Sequence, residues 1–162
     1  SGSTWVNDMV MIQKTKIRLD PRSSIYEYLP AASVSLRNQR RDVDSFTVQR
    51  SPHQKELARL MPILEKEGAP YEVCQAAVWI VTDNPEYIEN KKFHICINTQ
   101  TDVMQSTEIA NHPVNEDVAA RAMKICDNAG INIKLKSIWR GWETIHSGVQ
   151  DADLRKWLED KK

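Results

Sequence analysis

The 162-residue chain carries 22 basic and 22 acidic side chains, a formal net charge of zero and a pI near 6.9. No global field therefore draws it to nucleic acid or to an anionic membrane, and its length supports one domain, residues 1–162, whose core needs no disulfide staples. No apolar run approaches the ~20 residues of a membrane-spanning helix, and the opening Ser1-Gly2-Ser3 reads as a cleavage scar rather than a targeting signal.

In chain order, residues 4–50 read as β-rich. The stretches MVMIQKTKIRLD and SSIYEYLPAASVSLR show alternation, Ile17 and Leu19 against Lys16, Arg18 and Asp20, and Ile25 and Leu29 against Glu27, the pattern of half-buried strands. Asp20-Pro21-Arg22-Ser23 between them is a turn. From Ser51 to residue 162 the pattern is helical. Ser51 is placed as an N-cap with Pro52 at the first helical position and Gln54 at the capping-box position, and Leu57, Leu60, Met61 and Leu64 follow at helical spacing. Pro62 is expected to kink or divide that helix.

A second helix starts near Pro70 and ends at Asp83-Asn84-Pro85, because a proline disfavours helical geometry in the residue before it. Val73, Cys74, Ala76, Ala77, Val78, Ile80 and Val81 cover nearly all its faces, which places it in the middle of the domain. The segment HICINTQTDVMQSTEIANHP is ambiguous. Beyond it come a helix capped by Asn115 and stopped by Gly130, a short segment around Trp139 to His146, and a last amphipathic helix, DADLRKWLEDKK. The fold class is α+β, mostly α, with a small N-terminal β element packed on a helical body.

His53, His94, His112 and His146 have no metal-ligand spacing among themselves, so no metal site is assigned, and no phosphate-binding, nucleophile-elbow or dinucleotide motif is present. No cofactor and no catalytic residue is assigned. Arg37, Arg40 and Arg41 form a short basic run that could meet an acidic partner or stay a solvated loop. Trp139 and Trp142, three apart, and Trp157 could form an aromatic recognition face, against the ordinary reading as core or rim.

The residue that composition does not explain is Gln75, an amide inside the apolar run YEVCQAAVWIVTDN. A buried amide without partners costs about 1–3 kcal/mol, so a fold keeps one only if it is hydrogen-bonded or otherwise required. On chemistry alone, Gln75 ties the β element to the helix through backbone hydrogen bonds.

QAAVW, Gln75 to Trp79, also resembles the glutamine-aromatic helix motif of the thioester domains of Gram-positive surface adhesins. In that family the glutamine side-chain carbonyl is bonded to an upstream cysteine near the end of a strand. LPAASVSLRNQRRDVDSF occupies the corresponding place here, and Ser33 aligns with the cysteine. The resemblance covers Tyr28 to Asn84, with Cys74 and Trp79 as supporting neighbours of the glutamine. It implies a thioester-like domain acting in adhesion or protein interaction, whose partner is a protein or a nucleophile on a host surface.

The departure is Ser33. A hydroxyl is a far weaker nucleophile than a thiolate, so the crosslink should not form in this chain. Cys74 cannot substitute, because neighbouring helical residues point about 100° apart, whereas Cys96 and Cys126 would have to be brought to Gln75 by the fold. Ser33 is either a natural loss of the crosslink or a deliberate replacement.

Two other classes compete. One is a plain helical protein-binding module of armadillo or HEAT type without thioester ancestry; the other is an enzyme assembled from scattered groups such as Asp83, His94 and Cys96. The adhesin resemblance places the chain at the cell surface. The three cysteines, odd in number and set among apolar neighbours, point instead to a reducing compartment such as the cytoplasm.

Overall fold

A computed structural model describes residues 9–12, 14, 16–18, 20–25, 29–34, 50–87, 94–99 and 108–162, with residues 94–99 and 108–113 described in backbone alone. The element order is β1 (Met9–Met11), β2 (Ala31–Ser33), α1 (Gln54–Glu67), α2 (Tyr71–Thr82), β3 (His94–Thr99), β4 (Glu108–Pro113), α3 (Glu116–Asn128), α4 (Trp142–Gly148) and α5 (Ala152–Lys161), with two short 3-10 turns between α3 and α4. The class is the expected one, mostly helical α+β.

β1 and β2 pair antiparallel with Met9 opposite Ser33, Val10 opposite Ala32 and Met11 opposite Ala31. Each of the two stretches read as β contains a strand, β1 in the first and β2 in the second, but the alternating residues lie outside them: Ile17, Ile25 and Leu29 are all exposed and lie between β1 and β2, while Leu19 and Glu27 fall outside the described residues. Alternation signals a strand only where one face is buried, and here burial falls on Ala32, which is fully enclosed where β2 packs on α2. The intervening turn does form, closed by the Ser23 N–H on the Asp20 carbonyl at 3.1 Å, with Arg22 at φ 61°.

The ambiguous segment after α2 contains a second antiparallel pair, β3 with β4, from His94 opposite Pro113 to Thr99 opposite Glu108. The helical part, residues 51–162, therefore carries a small sheet in the segment whose pattern is ambiguous.

α1 begins three residues after Ser51, so Ser51 is not its N-cap. The Ser51 hydroxyl instead accepts from the His53 N–H at 3.1 Å and its carbonyl from the Gln54 N–H at 3.1 Å. This local turn uses the serine two residues on rather than at the helix start. Pro62 does not divide α1, which runs unbroken from Gln54 to Glu67. Pro62 and Ala58, whose carbonyl loses its donor, both lie on the exposed face where water can replace the missing bond, while Leu57, Leu60 and Leu64 hold the other face in the core.

α2 is buried on every side from Val73 to Val81. It ends as the sequence predicts, with Asn84 in the left-handed region at φ 49°, ahead of Pro85. α3 packs against α1, α2, α4 and α5. The small buried residues Ala76 and Ala77 of α2 and Ala119 and Ala122 of α3 let these central helices approach closely. Asn115 caps α3 by accepting from the Val118 N–H at 2.9 Å, and Asp151 caps α5 by accepting from Asp153 and Leu154. Asp117 accepts from the N–H groups of Gln150 and Asp151, each at 3.0 Å, which fixes the start of α5 onto α3.

Gly141, at the junction with α4, has no room for a side chain. A Cβ there would meet the Tyr87 carbonyl oxygen and lie 2.8 Å from Tyr87 Cβ. Gly141→Ala is expected to destabilise the domain by about 1–3 kcal/mol through overpacking, read as a lower urea unfolding midpoint. An unchanged midpoint would contradict this packing.

Candidate functional site

The site follows from the alternation of an antiparallel ladder. The Ile12 N–H donates to the Pro30 carbonyl at 3.1 Å, which fixes the phase of the ladder. Residues opposite one another alternate between exchanging hydrogen bonds and pointing their polar groups away. Val10 with Ala32 is therefore a bonded pair, and Met9 with Ser33 is not. The N–H and C=O of Ser33 point off the outer edge of β2, toward α2.

Gln75 meets both. Its Oε1 accepts from the Ser33 N–H at 2.9 Å, and its Nε2 donates to the Ser33 carbonyl at 2.7 Å. The two bonds fix which amide atom is oxygen, because a flipped carboxamide would set donor against donor and acceptor against acceptor. A single side chain thus occupies the place of the next strand. The Tyr71 hydroxyl, one helical turn earlier, donates to the same Oε1 at 3.2 Å. Helical side chains lean toward the N-terminus, so residues four apart meet in this way. Gln75 is 2 % exposed and is the buried polar side chain of the described core; Ser33 and Tyr71 are half-buried.

The tie between helix and β element expected from Gln75 is therefore observed, and the residue aligned with the family's cysteine is the one that Gln75 touches. Tyr71 was missed. The signal that could have found it is its position four residues before the buried amide, on the same helical face.

The cysteines divide as their helical positions require. Cys74 donates to the carbonyl of Ala69, in the connection just before α2, at 3.4 Å and not toward Ser33. Burial pushes its thiol above the ordinary value, against the opposing pull of Arg121. Cys126 is fully buried on α3, its thiol pushed up to about 12 by burial. It donates to the Ala77 carbonyl at 3.7 Å. Ala77 lies two residues beyond Gln75, a rotation of about 200° around α2, so Cys126 faces the side of α2 opposite to β2. The fold does not bring it to Gln75. Neither thiol is a ready nucleophile. The Cys96 side chain lies outside the described residues, although its backbone forms part of β3.

Trp79 is buried in the core beside Val78. Trp139 and Trp142 are half-buried, their rings 6.5 Å apart at 50°. Trp142 stacks on His146 at 4.8 Å and donates its Nε1–H to the Leu158 carbonyl at 3.1 Å. These rings, with Trp157, pack against the core and brace α4 on α5. They form a rim. Arg37, Arg40 and Arg41 lie outside the described residues. Of the scattered catalytic set, Asp83 serves as the C-cap of α2, with its N–H on the Trp79 carbonyl, and the side chains of His94 and Cys96 are not among those described. Among the described residues no group of three metal-ligating side chains gathers, and no helix is long and apolar enough to cross a membrane.

Compared with protein-family models, curated proteins and solved structures, the chain matches none.

Gln75→Leu keeps the volume of the side chain but strips the Ser33 peptide of both bonds. It is expected to cost about 1–3 kcal/mol, read as a lower denaturant midpoint. A neutral or stabilising effect would show that the pairing holds nothing together.

Proposed function

We propose that this chain is a thioester-like domain whose crosslinking position is occupied by serine, and that it acts as an adhesion or protein-interaction module. The observation that carries the reading is the meeting of Gln75 with Ser33 across a sequence separation of 42, at 2.9 and 2.7 Å. This contact, between the two positions that the resemblance pairs, supports the reading.

The chemistry follows from the residue at position 33. With cysteine there, a thiol would sit beside a buried carboxamide held in one orientation, and attack on Gln75 Cδ would release ammonia and leave a thioester. Burial beside Val78 and Trp79 would slow its hydrolysis. An amine on a target surface would then take the acyl group and free the thiol, a single covalent capture rather than turnover. With serine the scaffold retains non-covalent binding of a protein partner, and the adhesin resemblance puts that partner at a cell surface.

The second reading is a plain helical binding module. It is favoured by one feature of the site: Gln75 bonds the backbone of residue 33, which any residue would offer. Its armadillo or HEAT form fits less well, because α3 touches each of the other helices, whereas a solenoid repeat touches only its neighbours.

Intact mass separates the two. Ser33→Cys is expected to lose one ammonia on folding and then to gain one methylamine when exposed to it, while the parent chain does neither. If Ser33→Cys keeps its full mass, the thioester reading falls and Gln75 is a structural amide.

A further inference from the structure

Gln75 Oε1 receives two donors, the Ser33 N–H at 2.9 Å and the Tyr71 hydroxyl at 3.2 Å. Binding one strand edge requires only the first. The second donor polarises the same carbonyl, and its direction matters because the carbonyl oxygen is where negative charge appears when Cδ is attacked. Two hydrogen-bond donors fixed on an acyl oxygen inside a buried site constitute an oxyanion hole.

We propose that the Tyr71 hydroxyl and the backbone N–H of residue 33 are set as an oxyanion hole on Gln75 Oε1, so that in a chain with cysteine at 33 Tyr71 is a catalytic residue for acyl transfer at Gln75. The inference rests on the thioester-like reading above and adds to it the group that stabilises the transition state.

The step balances as follows in a chain with cysteine at 33. The sulfur lone pair attacks Gln75 Cδ, and the carbonyl electron pair moves onto Oε1, where both donors hold it. Collapse of the tetrahedral species re-forms the C=O bond and breaks the Cδ–Nε2 bond, and the thiol proton leaves with the nitrogen as ammonia. The Ser33 carbonyl, which accepts from Nε2 at 2.7 Å, keeps that leaving group turned away from the two donors. Attack by an amine on the thioester passes through an oxyanion on the same oxygen, so one hole serves both steps. Nothing is oxidised or reduced.

Tyr71 is half-buried and its ring packs against the core, so phenylalanine retains the packing and removes only the donor. The test compares Ser33→Cys with Ser33→Cys/Tyr71→Phe, measuring by intact mass the rate of ammonia loss during refolding and the rate of methylamine addition. Both rates are expected to fall by about 10-fold or more, since removal of one oxyanion donor commonly costs 10²–10³ and this one is partly solvated. A merely structural role for Tyr71 would lower the thermal midpoint and leave methylamine addition unchanged. A third variant carries 3-fluorotyrosine at position 71, whose hydroxyl is the stronger donor; both rates should rise, a change of opposite sign that loss of folding cannot mimic. Ammonia lost at equal rates with tyrosine, phenylalanine and fluorotyrosine would overturn the role of Tyr71 and leave the thioester reading standing. Ammonia lost in none of them would overturn both.

Discussion

The backbone N–H and C=O of Ser33 are the groups through which the β1–β2 pair is held to α2. β1 and β2 are each three residues long, and an isolated two-stranded hairpin is marginal in water. Such a hairpin holds its place only if something fixes its outer edge. Gln75 does so from the interior of α2, using the one amino-acid side chain type, with asparagine, that presents a donor and an acceptor in the geometry of a peptide group. The outer edge of β2 at Ser33 is thereby satisfied by a side chain, and Ala32 is pressed into the core beside it.

That arrangement depends in turn on the rigidity of α2. A helix buried on all sides has nowhere to rotate, and its register is set by contact with α3, where alanines on both helices permit close approach and the Cys126 thiol reaches the Ala77 carbonyl. The other helices reinforce α3 rather than β2: Asp117 gathers the N-terminus of α5, and Gly141 lets the chain pass against Tyr87. Gln75 is thus fixed on one side by the core and on the other by the strand it completes. Preorganisation of this kind allows a carboxamide to be presented for chemistry as well as for structure.

Much of this was legible in the residues. The helix from Tyr71 to Thr82 could be placed because its apolar residues cover every face and Pro85 stops it; Asn115 and Gly130 marked the ends of the next one. Gln75 stood out because an amide in such a helix demands partners. What could not be read was set by tertiary context. Alternation pointed to the right two stretches but to the wrong residues in them: Ile17 and Ile25 are exposed, while the strands, Met9–Met11 and Ala31–Ser33, are too short to show a period. Ser51 looked like an N-cap but spends its hydroxyl on a turn. The pairing of His94–Thr99 with Glu108–Pro113 is a nonlocal contact that a single segment does not announce. Tyr71 acquired its significance only once Gln75 Oε1 had a location.

The Ser33 N–H, on a strand edge with no neighbouring strand among the described residues, is held by the Gln75 side chain. Amide hydrogen exchange of Ser33, followed residue by residue by NMR in the parent chain and in Gln75→Ala, tests this most directly. The account expects strong protection of Ser33 in the parent and its selective loss in Gln75→Ala, while the Ala32 amide, which faces β1, stays protected. Rapid exchange of Ser33 in the parent, or protection that survives removal of the glutamine side chain, would contradict it.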